Sequence, residues 1–479
     1  MNYRMISYVL GWIMVFEAAF MAVPLITAAF FAEGNSALWF GVSAAVCLVM
    51  GGLLILIKKP QNKRLFSREG FVIVALSWIL LSLFGALPLF LSGAIPSFID
   101  ALFETVSGFT TTGASILSDV EALPKSMIMW RSFTHWVGGM GVLVFIMAFL
   151  PLSGGQNMHI MKAESPGPSV SKLVPRVKTT ALLLYSIYFV LTLAEFVLLL
   201  CGGMTGFEAL NTAFATAGTG GFGFYNDSMA GFSPYIQIVV TVFMLLFSIN
   251  FNSYFFLLNR KFREAFNTEV VVFLIIVAAA IAILTFDNID LYPASGDALR
   301  HSAFTVASLI STTGFSTVDF NVWSELSRTI IIIIMFIGAC AGSTGGGIKV
   351  SRIIILFKSL GKELRVMVHP KQIKKIKIDK RPVEHETVRS VCTYMVAFIV
   401  VFVISLVIIS FENHDLITNF TAVTATINNI GPGLELVGPT ANFSFFSVPS
   451  KIVLIFDMLA GRLELFPMLM LFSPATWKK

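Results

Sequence analysis

Residues 100–113 read DALFETVSGFTTTG. The stretch is short and half apolar, and it ends in Thr110-Thr111-Thr112-Gly113. Long apolar runs flank it, over roughly 70–93 and 126–152. The arrangement recurs at 208–221 (EALNTAFATAGTGG), 301–314 (HSAFTVASLISTTG) and 418–431 (TNFTAVTATINNIG). Aligned on the last glycine, the four segments have equal length without gaps. Their identity is weak, and what they share is a pattern. Each has an apolar run before it, a helix-permissive stretch, a small-residue terminus with glycine, and a second apolar run after it. A unit repeated along a chain marks an internally repeated architecture.

The rest of the composition says where such a unit sits. The chain has 479 residues, 56% hydrophobic and 13% charged, with a mean hydropathy of +0.84. Runs at 72–91, 181–200, 270–286 and 391–410 approach or reach the ~20 residues that cross a ~30 Å hydrocarbon core. The ~10-residue alternation of a membrane β-barrel is not seen. The expected fold is an all-α polytopic membrane protein, with four helix–re-entrant loop–helix repeats around one central pore. Residues 1–57 form an accessory N-terminal helix pair. The repeats span 70–152, 179–259, 268–360 and 389–472, with a basic cytoplasmic segment at 361–388. This reading has ten spanning helices and four half-penetrating ones.

The net charge of +6 invites a nucleic-acid reading, but its distribution opposes one. Most of the 33 Lys and Arg residues lie at the termini and in four connections, around 58–68, 162–178, 260–263 and 349–389. The intervening connections carry mainly acids, among them Asp100, Glu104, Asp119, Glu121 and Asp227. That asymmetry follows the positive-inside rule and puts both termini in the cytoplasm of an inner or plasma membrane. It also argues that the four short segments enter and leave on the acidic face. The four cysteines lie singly in apolar stretches and read as small core residues.

Residues 100–110 make a helix of about 16 Å at 1.5 Å per residue. It reaches mid-membrane and stops. Non-helical backbone at that depth must be buried in protein or line a watery cavity. Four such ends meeting on one axis would present carbonyl oxygens and helix C-terminal partial charges to one point, a setting for a dehydrated monovalent cation. The plainer alternative is four polar turns between packed helices.

With SGFTTTGAS at 107–115, STTGFST at 311–317, CAGSTGGGIKV at 340–350 and NNIGPGLE at 428–435, the chain resembles the Trk/Ktr/HKT superfamily of potassium-uptake proteins. The N-terminal helix pair and GRLELFPMLMLFSP at 461–474 resemble its TrkH/TrkG branch. The resemblance implies a membrane subunit with one pore per protomer, a homodimer, and a cytoplasmic nucleotide-binding regulatory ring of the TrkA type. It implies a potassium-binding filter at Thr111-Thr112-Gly113, Thr219-Gly220-Gly221, Thr312-Thr313-Gly314 and Asn429-Ile430-Gly431. Glycine at all four ends favours potassium over sodium in that superfamily. No organic cofactor is implied, and whether transport is passive or coupled to sodium or protons stays open.

Two further features lie between filter and cytoplasm. The run 326–360 would span about 52 Å as one helix, and its centre holds Gly338, Gly342, Ser343, Gly345, Gly346 and Gly347. Glycine costs about 1 kcal/mol in a helix relative to Ala, so a broken helix with a loop at its middle is expected. That loop reads as a gate, or as close helix packing through small residues. Arg462 lies within the last apolar run, where a cation is costly and functional by default. It reads as a barrier below the filter, or as a structural partner of Asp457 or Glu464. The basic segment reads as a lipid-facing orientation signal or a docking site. A secondary transporter of another solute would need ionisable coupling residues at midplane, where only isolated Glu17 and Glu195 stand. A membrane enzyme would need converging carboxylates or a nucleophile with its base, and none converge.

Overall fold

The computed structural model describes residues 1–57, 66–141, 177–370 and 375–478. Most of the 153–178 connection, part of the 58–68 turn and residues 142–152 of the first repeat lie outside that set. Two apolar helical runs, Tyr3–Phe30 and Gly34–Leu56, open the chain. They cross where Gly11 meets Gly51. A Cβ on either glycine would lie 2.8 or 2.7 Å from the other's carbonyl oxygen, the close backbone approach that small residues permit.

The order long helix, short helix, irregular connection, second helix then occurs four times among the described residues. The long helices are Ser67–Leu91, Ala181–Cys201, Thr268–Asp287 and His385–Glu412, all apolar and long enough to cross a membrane. Their outward faces stay apolar. Val396, Ile399, Val400, Val403, Ile404 and Val407 are exposed on one helix alone, an apolar surface that only lipid or another subunit would cover. The short helices are Phe98–Phe109, Gly206–Ala217, Ser295–Ile310 and Leu416–Ile427. A twelve-residue member such as Phe98–Phe109 is about 18 Å long.

Caps set where these short helices begin. Ser97 accepts a hydrogen bond from the Asp100 amide, Thr205 from Glu208, and Asp415 from Thr418. Each satisfies an otherwise orphaned helix-start donor. The helices therefore start two residues before the quoted segments in three cases. The third starts at Ser295, six residues before its segment, and has no side-chain cap.

The second helices differ from their sequence reading. The runs 126–152, 233–259 and 448–472 look continuous, yet each breaks. Lys125–Gly139 ends at Met140, followed by Gly141 at φ +80°. Pro234–Ser248 is followed, after a 92° bend, by Phe251–Leu258. Val448–Arg462 gives way to Phe466–Phe472 through Glu464 and Leu465, both left-handed. The break expected in the third repeat falls after Glu325–Ile337, and helix resumes at Val350–Val368. Among the described residues, six continuous helices, or seven with the bent pair, are long and apolar enough to span. The second helices are interrupted, so apart from the bent pair they do not enter this count of continuous spans.

One short β-hairpin pairs Lys377–Ile378 with Arg381–Pro382 in the basic segment. Its Asp379 accepts from the backbone and hydroxyl of Thr268 at 2.8 and 2.6 Å. Cys47 and Cys340 are buried as expected, whereas Cys201 and Cys392 are exposed on the outer surface.

Candidate functional site: a ring of four helix ends

All four short helices end four residues before the aligned glycine, at Phe109, Ala217, Ile310 and Ile427. They end the same way. Thr111, Thr219, Thr312 and Asn429 take left-handed φ values of 54, 55, 63 and 55°. Their amides donate back to Gly108, Thr216, Leu309 and Thr426, and the next amides, of Thr112, Gly220, Thr313 and Ile430, donate to Ser107, Ala215, Ser308 and Ala425. This pair of bonds is the Schellman closure. Glycine usually fills its left-handed position. A β-branched Thr there costs about 1–3 kcal/mol and persists only where the surroundings fix it.

The closure uses up the carbonyls inside each helix and leaves those beyond it. Among the described residues, no hydrogen bond reaches the carbonyl oxygens of 111–113, 219–221, 312–314 or 429–431. Nine of these twelve residues are buried and Gly113, Gly221 and Gly314 are half-buried; buried acceptors normally have partners.

The glycines show how the ends meet. A Cβ on Gly113 would lie 1.9 Å from the Gly220 carbonyl oxygen, and one on Gly221 would lie 1.8 Å from that of Thr313. On Gly314 it would meet Ile430 O at 2.3 Å, and on Gly431 it would meet Thr112 O at 2.9 Å. The contacts run from the first segment to the second, third and fourth, and back to the first. The four glycines therefore encircle one axis, each seated against the carbonyl preceding the next glycine. At such distances any larger residue is excluded.

The first and second segments rest on the helix Lys125–Gly139. His135 Nδ1 lies 2.7 Å from Gly108 O, and its Nε2 accepts the Phe222 amide at 3.2 Å. One neutral imidazole tautomer, donating through Nδ1, fits both bonds. Arg131 and Glu104 form a fully buried ion pair at 2.7 Å. Glu104 also takes Ser115 Oγ and the Ile116 amide, and Arg131 donates to Gly223 O. Of these three residues the sequence reading names only Glu104, as an acid of an outer connection, and it is buried against Arg131 instead. Arg131 carries the signal that picked Arg462, a cation within an apolar run, whereas His135 is a solitary histidine whose partners lie far off in sequence.

The third and fourth segments rest on the glycine-rich loop between Ile337 and Val350. The Gly346 amide donates to Thr312 Oγ1 at 2.6 Å, and the Gly347 amide to Asn428 O at 3.0 Å. A Cβ on Gly345 would lie 2.7 Å from Ser311 O, and one on Gly346 would lie 2.3 Å from Asn428 O. Gly338, Gly342 and Gly347 have φ of 70, 72 and 75°. Ser343 Oγ donates to Cys340 O at 2.6 Å. The loop is also tied to the second-repeat break, through Cys340 N to Ser248 O and Phe251 N to Gly342 O. Glu269 gathers both of its ends, accepting the Ala341 and Ser351 amides at 2.7 and 3.1 Å. Lys349 folds back onto Gly345 O.

Arg462 sits at the fourth break and joins two others. Its guanidinium donates to Thr344 O of the loop at 2.8 Å, and to Gly138 O and Gly139 O at 2.5 and 2.7 Å. The carboxylates offered as alternative partners are engaged elsewhere: Glu464 pairs with Arg352, and Asp457 accepts from Ser405 Oγ at 2.7 Å. Beside the loop, among the described residues, lies a cavity of about 1340 Å³ bordered by Met140, Asn250, Gly342, Ser343 and Arg462.

The class this defines is a multi-pass helical membrane protein whose four buried helix ends close a carbonyl-lined ring. Residues 40–479 match the family described as "TrkH: Cation transport protein". Among curated proteins, the chain is 35% identical to the Trk system potassium uptake protein TrkH of Halomonas elongata and to that of Escherichia coli K12, each over 100% of both chains. It is 32% identical to the Trk system potassium uptake protein TrkG of E. coli K12 over 99% of each. The crystal structure of the potassium transporter TrkH from Vibrio parahaemolyticus superimposes with a TM-score of 0.89 at 32% identity, covering 100% of both chains. The chain belongs to the TrkH family of cation transport proteins.

Proposed function

We propose that this protein takes up potassium across the cell's inner or plasma membrane through a filter of backbone carbonyls at 111–113, 219–221, 312–314 and 429–431. What carries the reading is the closed circuit of glycine–carbonyl contacts from Gly113 to Gly431. The unpaired carbonyls of those tripeptides replace the water that a potassium ion sheds on entering. Oxygen dipoles with no fixed anionic charge suit a monovalent cation, which must enter and also leave. It is a transporter and carries out no covalent chemistry. The names of its relatives, all potassium uptake proteins, support the choice of ion.

The loop containing Gly338, Gly342, Ser343, Gly345, Gly346 and Gly347 gates the path below the filter, and Arg462 adds a positive barrier at its rim. Both termini face the cytoplasm. The chain works as a homodimer, and a cytoplasmic nucleotide-binding ring of the TrkA type acts on the gate. The basic segment supplies the docking face.

The experiment is ion flux into liposomes containing the purified protein. Potassium or rubidium should enter and sodium should lag. Growth of an uptake-deficient host at micromolar potassium is the cellular counterpart. Flux indifferent to the cation, or none without a second solute gradient, would contradict the reading.

A further inference from the structure

The four equivalent filter positions have four different side-chain environments. Thr111 Oγ1 is buried without a hydrogen-bond partner among the described residues. Thr219 Oγ1 turns back to Gly218 O at 2.6 Å. Asn429 Nδ2 crosses to Thr112 Oγ1 and to Met458 O, both at 2.9 Å. Of the four, Thr312 alone takes a bond from the glycine-rich loop, accepting the Gly346 amide. The next loop amide, Gly347, binds Asn428 O, one residue before Asn429. Two successive loop donors therefore hold two adjacent filter segments.

From this we infer that Thr312 is a positioning residue that latches the glycine-rich loop to the filter, so that loop release and filter order are one linked equilibrium. The inference rests on the gate reading above and adds the residue through which gate and ion communicate. Thr312 is strained, with φ of 63°, and such a conformation persists only where neighbours over-determine it. Withdrawing the loop removes the Gly346 donor from Thr312 and the Gly347 donor from Asn428, loosening the third and fourth segments. The first and second keep their separate His135 bonds. Linkage makes the effect reciprocal. If the latched loop orders half the ring, an ion that needs the whole ring favours the latched loop.

The test reads loop position directly. Ser343 borders the cavity yet is only 6% exposed, so a thiol placed there is shielded while the loop is latched. The full-length protein carrying Ser343→Cys, with its natural cysteines replaced, is purified into liposomes and labelled with a membrane-permeant thiol reagent. Thr312→Val keeps the β-branched shape and loses the acceptor; it should speed labelling about fivefold, the equilibrium shift for one net hydrogen bond. Thr312→Ser keeps the hydroxyl and should label at the parent rate. Potassium in place of choline should slow labelling of the parent by about fivefold, at the low end of usual couplings, and Thr312→Val should lose most of that dependence. Labelling of Thr312→Val at the parent rate overturns the latch. Should that variant fail to fold, potassium-independent labelling of the parent overturns it equally. Uptake unchanged on deleting 343–346 would overturn the gate reading instead, and is distinguishable because the labelling rates would still differ.

Discussion

The two halves of the carbonyl-lined ring are built alike and supported differently. The first and second segments are braced from one helix by a histidine and a buried ion pair. The third and fourth are braced by backbone donors of a glycine-rich loop. Both supports satisfy the same need, since a helix end at mid-membrane must be held by protein. A helix bearing His135 and Arg131 has few ways to rearrange. A loop with Gly338, Gly342 and Gly347 in left-handed conformations has many. The contrast teaches that similar backbone geometry at four helix ends coexists with two kinds of support; on the gate reading proposed above, one half anchors the ring and the other responds.

Substitutions break or sharpen that contrast. The largest effect is expected where the halves join. Gly221→Ala puts a methyl 1.8 Å from Thr313 O at a left-handed φ of 77°, a strain beyond about 4 kcal/mol. Rubidium uptake by the purified variant should be abolished, while Gly34→Ala, with nothing near its Cβ position, should transport normally. Next comes the anchored half. Arg131→Ala strands the buried Glu104 carboxylate and should cost about 3–5 kcal/mol, read as a lower unfolding midpoint in detergent, with uptake falling only as folded protein falls.

The responsive half should behave in the opposite sense. Arg462→Ala removes the donors to Thr344, Gly138 and Gly139. Bonds from a charged group are worth about 1.5–3 kcal/mol each, so losing even one from the closed state should raise basal uptake roughly tenfold or more, with the unfolding midpoint little changed. Uptake that fell together with the midpoint would make Arg462 an anchor and erase the distinction. The smallest effect is expected at the hairpin. Asp379→Ala frees Thr268 at the start of the helix whose next residue, Glu269, accepts from both ends of the loop, and should cost about 0.5–1.5 kcal/mol. A slight rise in basal uptake checks it.

Much of this architecture is legible in the sequence because it is local. A helix stop with its left-handed residue and following glycine is encoded within a few positions, so four stops in register appear as Thr111, Thr219, Thr312 and Asn429. The break at Gly338 is visible for the same reason, since a glycine run is a poor helix former. The breaks in the second and fourth repeats are not. Ser248-Ile249-Asn250 and Leu463-Glu464-Leu465 hold no glycine or proline. In the second repeat the helix is interrupted where the loop bonds to Ser248 O and to the Phe251 amide, and propensity says nothing of bonds to a distant loop. His135 is hidden likewise. Its partners, Gly108 and Phe222, lie 27 and 87 residues away, and nothing in its neighbourhood marks it. The extra length of Ser295–Ile310 is not legible, because no capping side chain marks its start.

The central claim is that main-chain oxygens on the axis circled by Gly113, Gly221, Gly314 and Gly431 hold the ion. The most direct measurement is anomalous diffraction from crystals grown in rubidium. The account predicts a rubidium peak on that axis, in contact with the carbonyl oxygens of Thr112, Gly220, Thr313 and Ile430, and its loss in sodium. Rubidium bound away from the ring, with the ring itself empty, would contradict it.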